Sequence, residues 1–219
     1  MMDNLTLGTL AKMGAMNPAF ANFARRALVN TYDDFIDVLY DDLDAIVSFL
    51  EENPELRHTD PEDRITVEII GQLRRQGYDA SHDTKHGGHA DLLVNKSHFK
   101  WIGEAKIHDS YNYLLQGFQQ LTTRYSSGSD YQQAGGLLIY HRGENTKGVM
   151  DEWAKRLASE SLPGLEVTPC IKRSLPFFSS HTHEKSGLPF RVRHMPVMLY
   201  FNPKDKSARQ RQGTGQGGS

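Results

Sequence analysis

Two short apolar runs carry charge where buried strands should carry none. One is Gly88-His89-Ala90-Asp91-Leu92-Leu93-Val94, and the other is Trp101-Ile102-Gly103-Glu104-Ala105-Lys106-Ile107. Asp91, Glu104 and Lys106 are costly in a core unless they are paired or hold a metal. Side chains alternate along a strand. Ile102, Glu104, Lys106 and His108 therefore share one face, and the small Gly103 and Ala105 share the other with Ile107. If the two runs are neighbouring strands, Asp91 lies about 5 Å from Glu104 across the ladder. Two carboxylates that close repel, and a divalent cation relieves the conflict. Mg²⁺ takes one or two carboxylates together with waters and phosphate oxygens, and the Ala105 carbonyl could complete the set. Lys106 would then orient or help deprotonate an attacking water and offset charge on a pentavalent phosphate.

The elements that must position these groups are legible as patterns. Asp60-Pro61-Glu62-Asp63 is a helix start, with Asp60 as the cap, proline in the first turn and acids behind it. That helix should run to Gln76 and stop at Gly77. Its buried stripe is Ile65, Ile69 and Leu73. Glu68 lies beside the stripe, placed to bind a second metal or hold a metal-bound water. Residues 78–107 read as strands with a turn at Asn95-Lys96-Ser97. A helix over 111–125 turns Leu114, Phe118 and Leu121 inward and carries Gln116, Gln119 and Gln120. Gln120 and Arg124, one turn apart, could face a phosphate together. Residues 136–140 read as a buried strand, 147–160 as a helix, and 190–201 as a strand in which Pro196 marks an edge or a bulge. This order implies an α/β fold, a mixed sheet flanked by helices.

At this point the chain resembles the PD-(D/E)XK nuclease superfamily, which includes type II restriction enzymes, Holliday-junction resolvases and phage exonucleases. The matching residues are Glu68 on the leading helix, Asp91 on the second strand, and Glu104-Ala105-Lys106 on the third. The resemblance spans residues 60–142. Ala90 stands where the name of the motif has proline, a residue that ligates nothing. The resemblance implies a restriction-endonuclease-like αβββαβ core and hydrolysis of phosphodiesters, most often in DNA, with Mg²⁺ (or Mn²⁺) as cofactor. Asp91, Glu104, Ala105 and Glu68 are then the metal-holding candidates. Lys106 is then the catalytic lysine, and the glutamine that some members place beside the site is Gln116, Gln119 or Gln120, with Gln120 the candidate taken forward. Small nucleases of this type work in restriction, anti-phage defence or repair. The alternative is a catalytically silent module that keeps the fold to bind nucleic acid or a protein. Its signature would be loss of an acid or of the lysine, and none is lost.

The rest of the chain sets the frame. Residues 1–64 carry 13 Asp+Glu against 5 Lys+Arg, whereas residues 65–219 carry 14 against 20. A basic second portion suits a polyanionic partner. Residues 1–30 read as short helices broken at Asn17-Pro18. A helix over 33–52 places Phe35, Val38, Leu39, Leu43, Ile46, Val47 and Leu50 on one face and aspartates on the other. Residues 1–54 are thus expected as a helical N-terminal segment, a candidate surface for a homo-oligomer or protein partner. Residues 55–206 would form the nuclease domain, and residues 207–219, rich in Gly, Gln and Ser, a disordered tail. No apolar run approaches a membrane span, no secretory signal is evident, and the single cysteine, Cys170, fits a reducing cytoplasm. Weaker signals remain. His82, His86 and His89 form a hairpin cluster short of a zinc set. His181 and His183 read as part of a polar loop. Lys172, Arg173, Arg191 and Arg193 read as a phosphate-binding surface.

Overall fold

The computed structural model of the chain describes residues 7–83 and 90–205. Its frame is a seven-stranded sheet in the order β1-β2-β3-β4-β7-β6-β5. The strands are β1 (Asp79–Asp83), β2 (Ala90–Lys96), β3 (Phe99–Ile107), β4 (Ala134–His141), β5 (Glu166–Pro169), β6 (Phe177–Thr182) and β7 (Pro189–Met198). β3, β4 and β7 are parallel neighbours at the centre, and the outer pairs are antiparallel. Six α-helices accompany the sheet: α1 (Leu7–Met16), α2 (Pro18–Ala27), α3 (Tyr32–Glu51), α4 (Glu62–Arg75), α5 (Tyr111–Gln119) and α6 (Thr146–Ala158). The expected α/β class with a mixed, helix-flanked sheet is what the chain adopts.

The alternation of β3 and β4 sorts the core into two layers. Trp101 and Ala105 of β3, with Leu138 and Tyr140 of β4, pack under α3 and α4. Ile102, Leu137 and Ile139 pack under α5 and α6 with Phe118, Met150 and Trp153. The small residues of the first layer leave room for the Trp101 ring rather than for a helix: a side chain on Gly136 would meet the indole at 2.4 Å. Trp101 in turn lies edge-on to Tyr40 of α3.

Two boundaries differ from the sequence reading. α3 is part of the core. Phe35, Leu39, Leu43 and Leu50 are fully buried in the same layer as Ile65, Ile69 and Leu73 of α4, so residues 1–54 are not a separate segment. Only α2, among the fully described helices, buries nothing; it is tied to α3 by Arg25–Asp41 and Arg26–Asp42 ion pairs. α4 begins at Glu62, with Pro61 rather than Asp60 as its cap and no side-chain cap bond. It stops as expected before Gly77, whose φ of +91° suits glycine.

The helix after β3 changes pitch. α5 ends at Gln119, and Gln120–Tyr125 continue as a π-helical turn, with the Ser126 N–H reaching the Leu121 carbonyl. Thr122 and Thr123 donate their hydroxyls back to the carbonyls of Phe118 and Gln119, competition that loosens a regular helix. Pro196 lies in a central strand, in register with Ile139. Pairing of β7 with β6 ends at His194, so the missing proline N–H faces no strand on that side. The residues expected as a disordered tail, and His86 and His89, lie outside the described residues.

Candidate active site

The site forms where β2 ends short of β3, against the N-terminus of α4. The β2–β3 ladder closes at Leu92 opposite Gly103, and continuing it sets Asp91 beside Glu104. Because the β2–β3 pairing stops there, the N–H groups of Ala105 and Ile107 have no strand partner among the described residues on that edge. Side chains take them instead. Asp91 Oδ2 accepts from the Ala105 N–H at 2.9 Å, and Glu62 Oε2 accepts from the Ile107 N–H at 2.7 Å. Burial forces this pairing, since an unmatched backbone donor is expensive.

Lys106 sits at the focus. Its Nζ lies 2.7 Å from Glu104 Oε1, 3.5 Å from Glu62 Oε1 and 3.7 Å from Asp91 Oδ2, and donates to the Ala105 carbonyl at 2.9 Å. Three carboxylates thus surround one ammonium. Glu104 is 2 % exposed; desolvation, added to the charge of Asp91, pushes its pKa up to about 7 against the pull of Lys106. Burial also raises Glu62, opposed by Lys106. Burial alone would lower the Lys106 pKa, but the hydrogen bond to Glu104 and the charges of Glu104, Asp91 and Glu62 outweigh it, leaving Lys106 above the ordinary lysine value.

α5 closes the site from above. Gly117 faces Lys106; a Cβ there would lie 2.8 Å from Lys106 Cγ. One turn earlier, the Tyr113 ring stands over the ammonium, with Nζ 5.3 Å from its centroid. One turn later, Gln120 has a buried Oε1 with no hydrogen-bond partner among the described residues. Gln116 and Gln119 are exposed.

The structure brings Asp91, Glu104 and Lys106 together and does not bring Glu68 to them. Glu68 is committed to Arg57, which donates to its two oxygens at 2.6 and 2.9 Å, and this pair holds its pKa down. The acid that α4 contributes is Glu62. A signal for it was present. Glu62 continues the buried stripe of Ile65, Thr66, Ile69 and Leu73 backwards by one turn, but its place at the helix start reads as an ordinary first-turn acid. Tyr113 and Gly117 had no such signal.

Other sequence candidates serve the fold. Arg193 is buried against Asp44 at 2.9 Å, Lys172 pairs with Asp41, and Arg173 lies near Asp44, so these cations face α3 rather than a phosphate. His181 and His183 are buried, not in a solvated loop. Burial, with His183 nearby, lowers the His181 pKa to about 4. His194 accepts from Trp153 Nε1–H at Nδ1, which leaves its Nε2–H to donate to Ser179; burial lowers its pKa to about 3.

The donor set suits a divalent cation in part. Asp91 and Glu104 offer hard oxygens, and Glu104 Oε2 is buried with no hydrogen-bond partner, which suits Mg²⁺. Among the described residues no group of three or more acidic, histidine or cysteine side chains is already arranged as a metal cage; the Lys106 ammonium holds the centre. No protein-family model, curated protein or solved structure matches this chain.

Proposed function

We propose that this chain is a Mg²⁺- or Mn²⁺-dependent nuclease with a restriction-endonuclease-like core, hydrolysing phosphodiester bonds in nucleic acid, DNA foremost. One observation carries the reading. Asp91, Glu104 and Lys106, drawn from two strand ends, converge with an acid from the preceding helix within 3.7 Å of a single Nζ. A structural salt bridge needs one acid per base. Three acids around one buried lysine leave excess negative charge, which destabilises a site unless a cation joins it.

Asp91 and Glu104 are the residues that would hold the metal, with Ala105 supplying a carbonyl if Lys106 turns away from it. Bound there, the ion supplies Lewis acidity to the scissile phosphate. Lys106 is held charged by its neighbours. It therefore acts as a donor to a phosphate oxygen or to the attacking water rather than as the base that takes the water's proton, a narrower role than the sequence suggests. Glu62 ties the end of β3 to α4 and keeps Lys106 aligned.

The test is incubation with linear, circular and single-stranded DNA and with RNA, in Mg²⁺ or EDTA, for wild type, Asp91→Ala and Lys106→Ala. Cleavage should require the metal, and each variant should lose about 10²–10⁴-fold, the usual contribution of a positioned catalytic group. Full activity in either variant removes the assignment. Binding without cleavage by the wild type points to the silent module instead.

A further inference from the structure

The aromatic ring over Lys106 has no role in the core. Tyr111 and Leu115 of α5 pack into the layer under α5 and α6, but Tyr113 belongs to neither layer. It is 37 % exposed. Its backbone is fixed, because the Tyr113 N–H donates to the capping Ser110 Oγ. Its ring is held on the cation of Lys106. Part of an aromatic ring is thus left facing solvent, 5.3 Å from the ammonium that would contact the scissile phosphate. That separation is within the reach of a single nucleotide.

The cations nearby argue in the same direction. Arg156 pairs with Glu152 and stacks on Tyr111, Lys147 pairs with Asp151, and Arg142 donates to the Asp60 carbonyl. Of the lysines and arginines on the π-helical turn and α6, only Arg124 has no partner among the described residues; Lys155 makes no ion pair among them but acts on the Glu152 charge. Binding duplex through its backbone typically engages about six to ten phosphates. The described residues of these two elements fall well short of that, and the site itself adds carboxylates. Affinity would have to come from elsewhere, and stacking one base on an aromatic side chain strengthens binding by about 5- to 150-fold.

We infer that Tyr113 is a specificity-determining residue: the nucleobase beside the scissile phosphate stacks on its ring, so the substrate is an unpaired strand rather than an intact duplex. This rests on the nuclease reading above. In a duplex the base faces are covered by their neighbours, and only an unstacked or splayed base can offer one.

The experiment compares one labelled sequence as single-stranded DNA, single-stranded RNA and blunt DNA duplex, in Mg²⁺, with wild type, Tyr113→Ala, Tyr113→Phe and Tyr113→Trp. The wild type should cleave a single strand at least about tenfold faster than the duplex, a gap set by one stacked base. Tyr113→Ala should lose that advantage, mainly through KM, and the two aromatic variants should restore most of it. The DNA and RNA arms decide which sugar is accepted. A second readout does not depend on turnover: in Ca²⁺, a 2-aminopurine placed in the single strand should be quenched by wild type and not by Tyr113→Ala. Equal cleavage of duplex and single strand, or an undiminished preference in Tyr113→Ala, overturns the inference and leaves the nuclease reading standing. No binding or cleavage of any arm by wild type overturns both.

Discussion

Glu104 is almost wholly buried beside a second carboxylate, and the only cation in contact with it among the described residues is shared three ways. Folding raises its pKa to about 7, so the folded chain holds this proton more tightly than the unfolded one. The group therefore favours folding fully below its ordinary carboxylate pKa, and that contribution is lost as the pH rises through about 7. Glutamine imitates the protonated form. In EDTA at pH 8, Glu104→Gln should be more stable than wild type by on the order of 1–3 kcal/mol, or several degrees in Tm for a chain this size. The difference should shrink as the pH falls below 7 and close only below the ordinary carboxylate value, at about pH 4. The same variant should bind Mg²⁺ more weakly in calorimetry, since an oxygen donor and a charge are gone. A gain in stability joined to a loss of ligand is expected of a functional residue. A Tm below wild type at pH 8 would mean that Glu104 serves as a plain ion-pair partner for Lys106.

At the scale of elements, α5 controls the space over the lysine. Alanine at Gly117 would gain about 1 kcal/mol in helix propensity, but its Cβ would press on Lys106 Cγ at 2.8 Å and approach Leu137 at 3.3 Å. The stability terms oppose each other, whereas the lysine can only be displaced. Gly117→Ala should melt within a few degrees of wild type yet cleave at least about tenfold more slowly, as small misplacements do. Equal cleavage would show that Lys106 tolerates the shift. The element scale also shows what the sequence made legible. Strand alternation placed Asp91, Glu104 and Lys106 on one face because the period of two is strict and the charges are conspicuous among apolar neighbours. The mixed, helix-flanked sheet and the stop at Gly77 followed from equally local chemistry. β5 and β6 escaped notice because their short runs, Glu166–Pro169 and Phe177–Thr182, mix Ser, Thr and His with few aliphatic residues. Glu68 was preferred to Glu62 because the phase of a helix read near its end shifts with the residue chosen as its cap, and Arg57, which claims Glu68, lies outside the helix.

For the molecule as a whole, the charge split along the sequence is resolved within the fold. The acidic face of α3 meets Arg25, Arg26, Lys172, Arg173 and Arg193, so the basic second portion is partly consumed by the acidic first. This leaves α3 two attachments, ionic on one face and apolar on the other. The apolar one dominates. Phe35, Leu39, Leu43, Ile46 and Leu50 are at most 1 % exposed, and each contributes roughly 1.5–3 kcal/mol of burial. Their sum is comparable to the roughly 5–15 kcal/mol by which a whole domain is stable. Tyr32 adds a clamp, donating to the Lys100 carbonyl and accepting from the Ala134 N–H. α2, in contrast, is held by one exposed and one part-buried ion pair, the exposed kind being worth about 0–1 kcal/mol. Two truncations separate these roles. Removing residues 1–28 should leave a soluble, cooperatively folding protein with Tm lowered by only a few degrees and Mg²⁺-dependent cleavage retained. Removing residues 1–54 should leave a chain that is insoluble or shows no cooperative transition in circular dichroism. A folded, active 55–219 fragment would show that α3 is dispensable and restore the view of residues 1–54 as a separate segment.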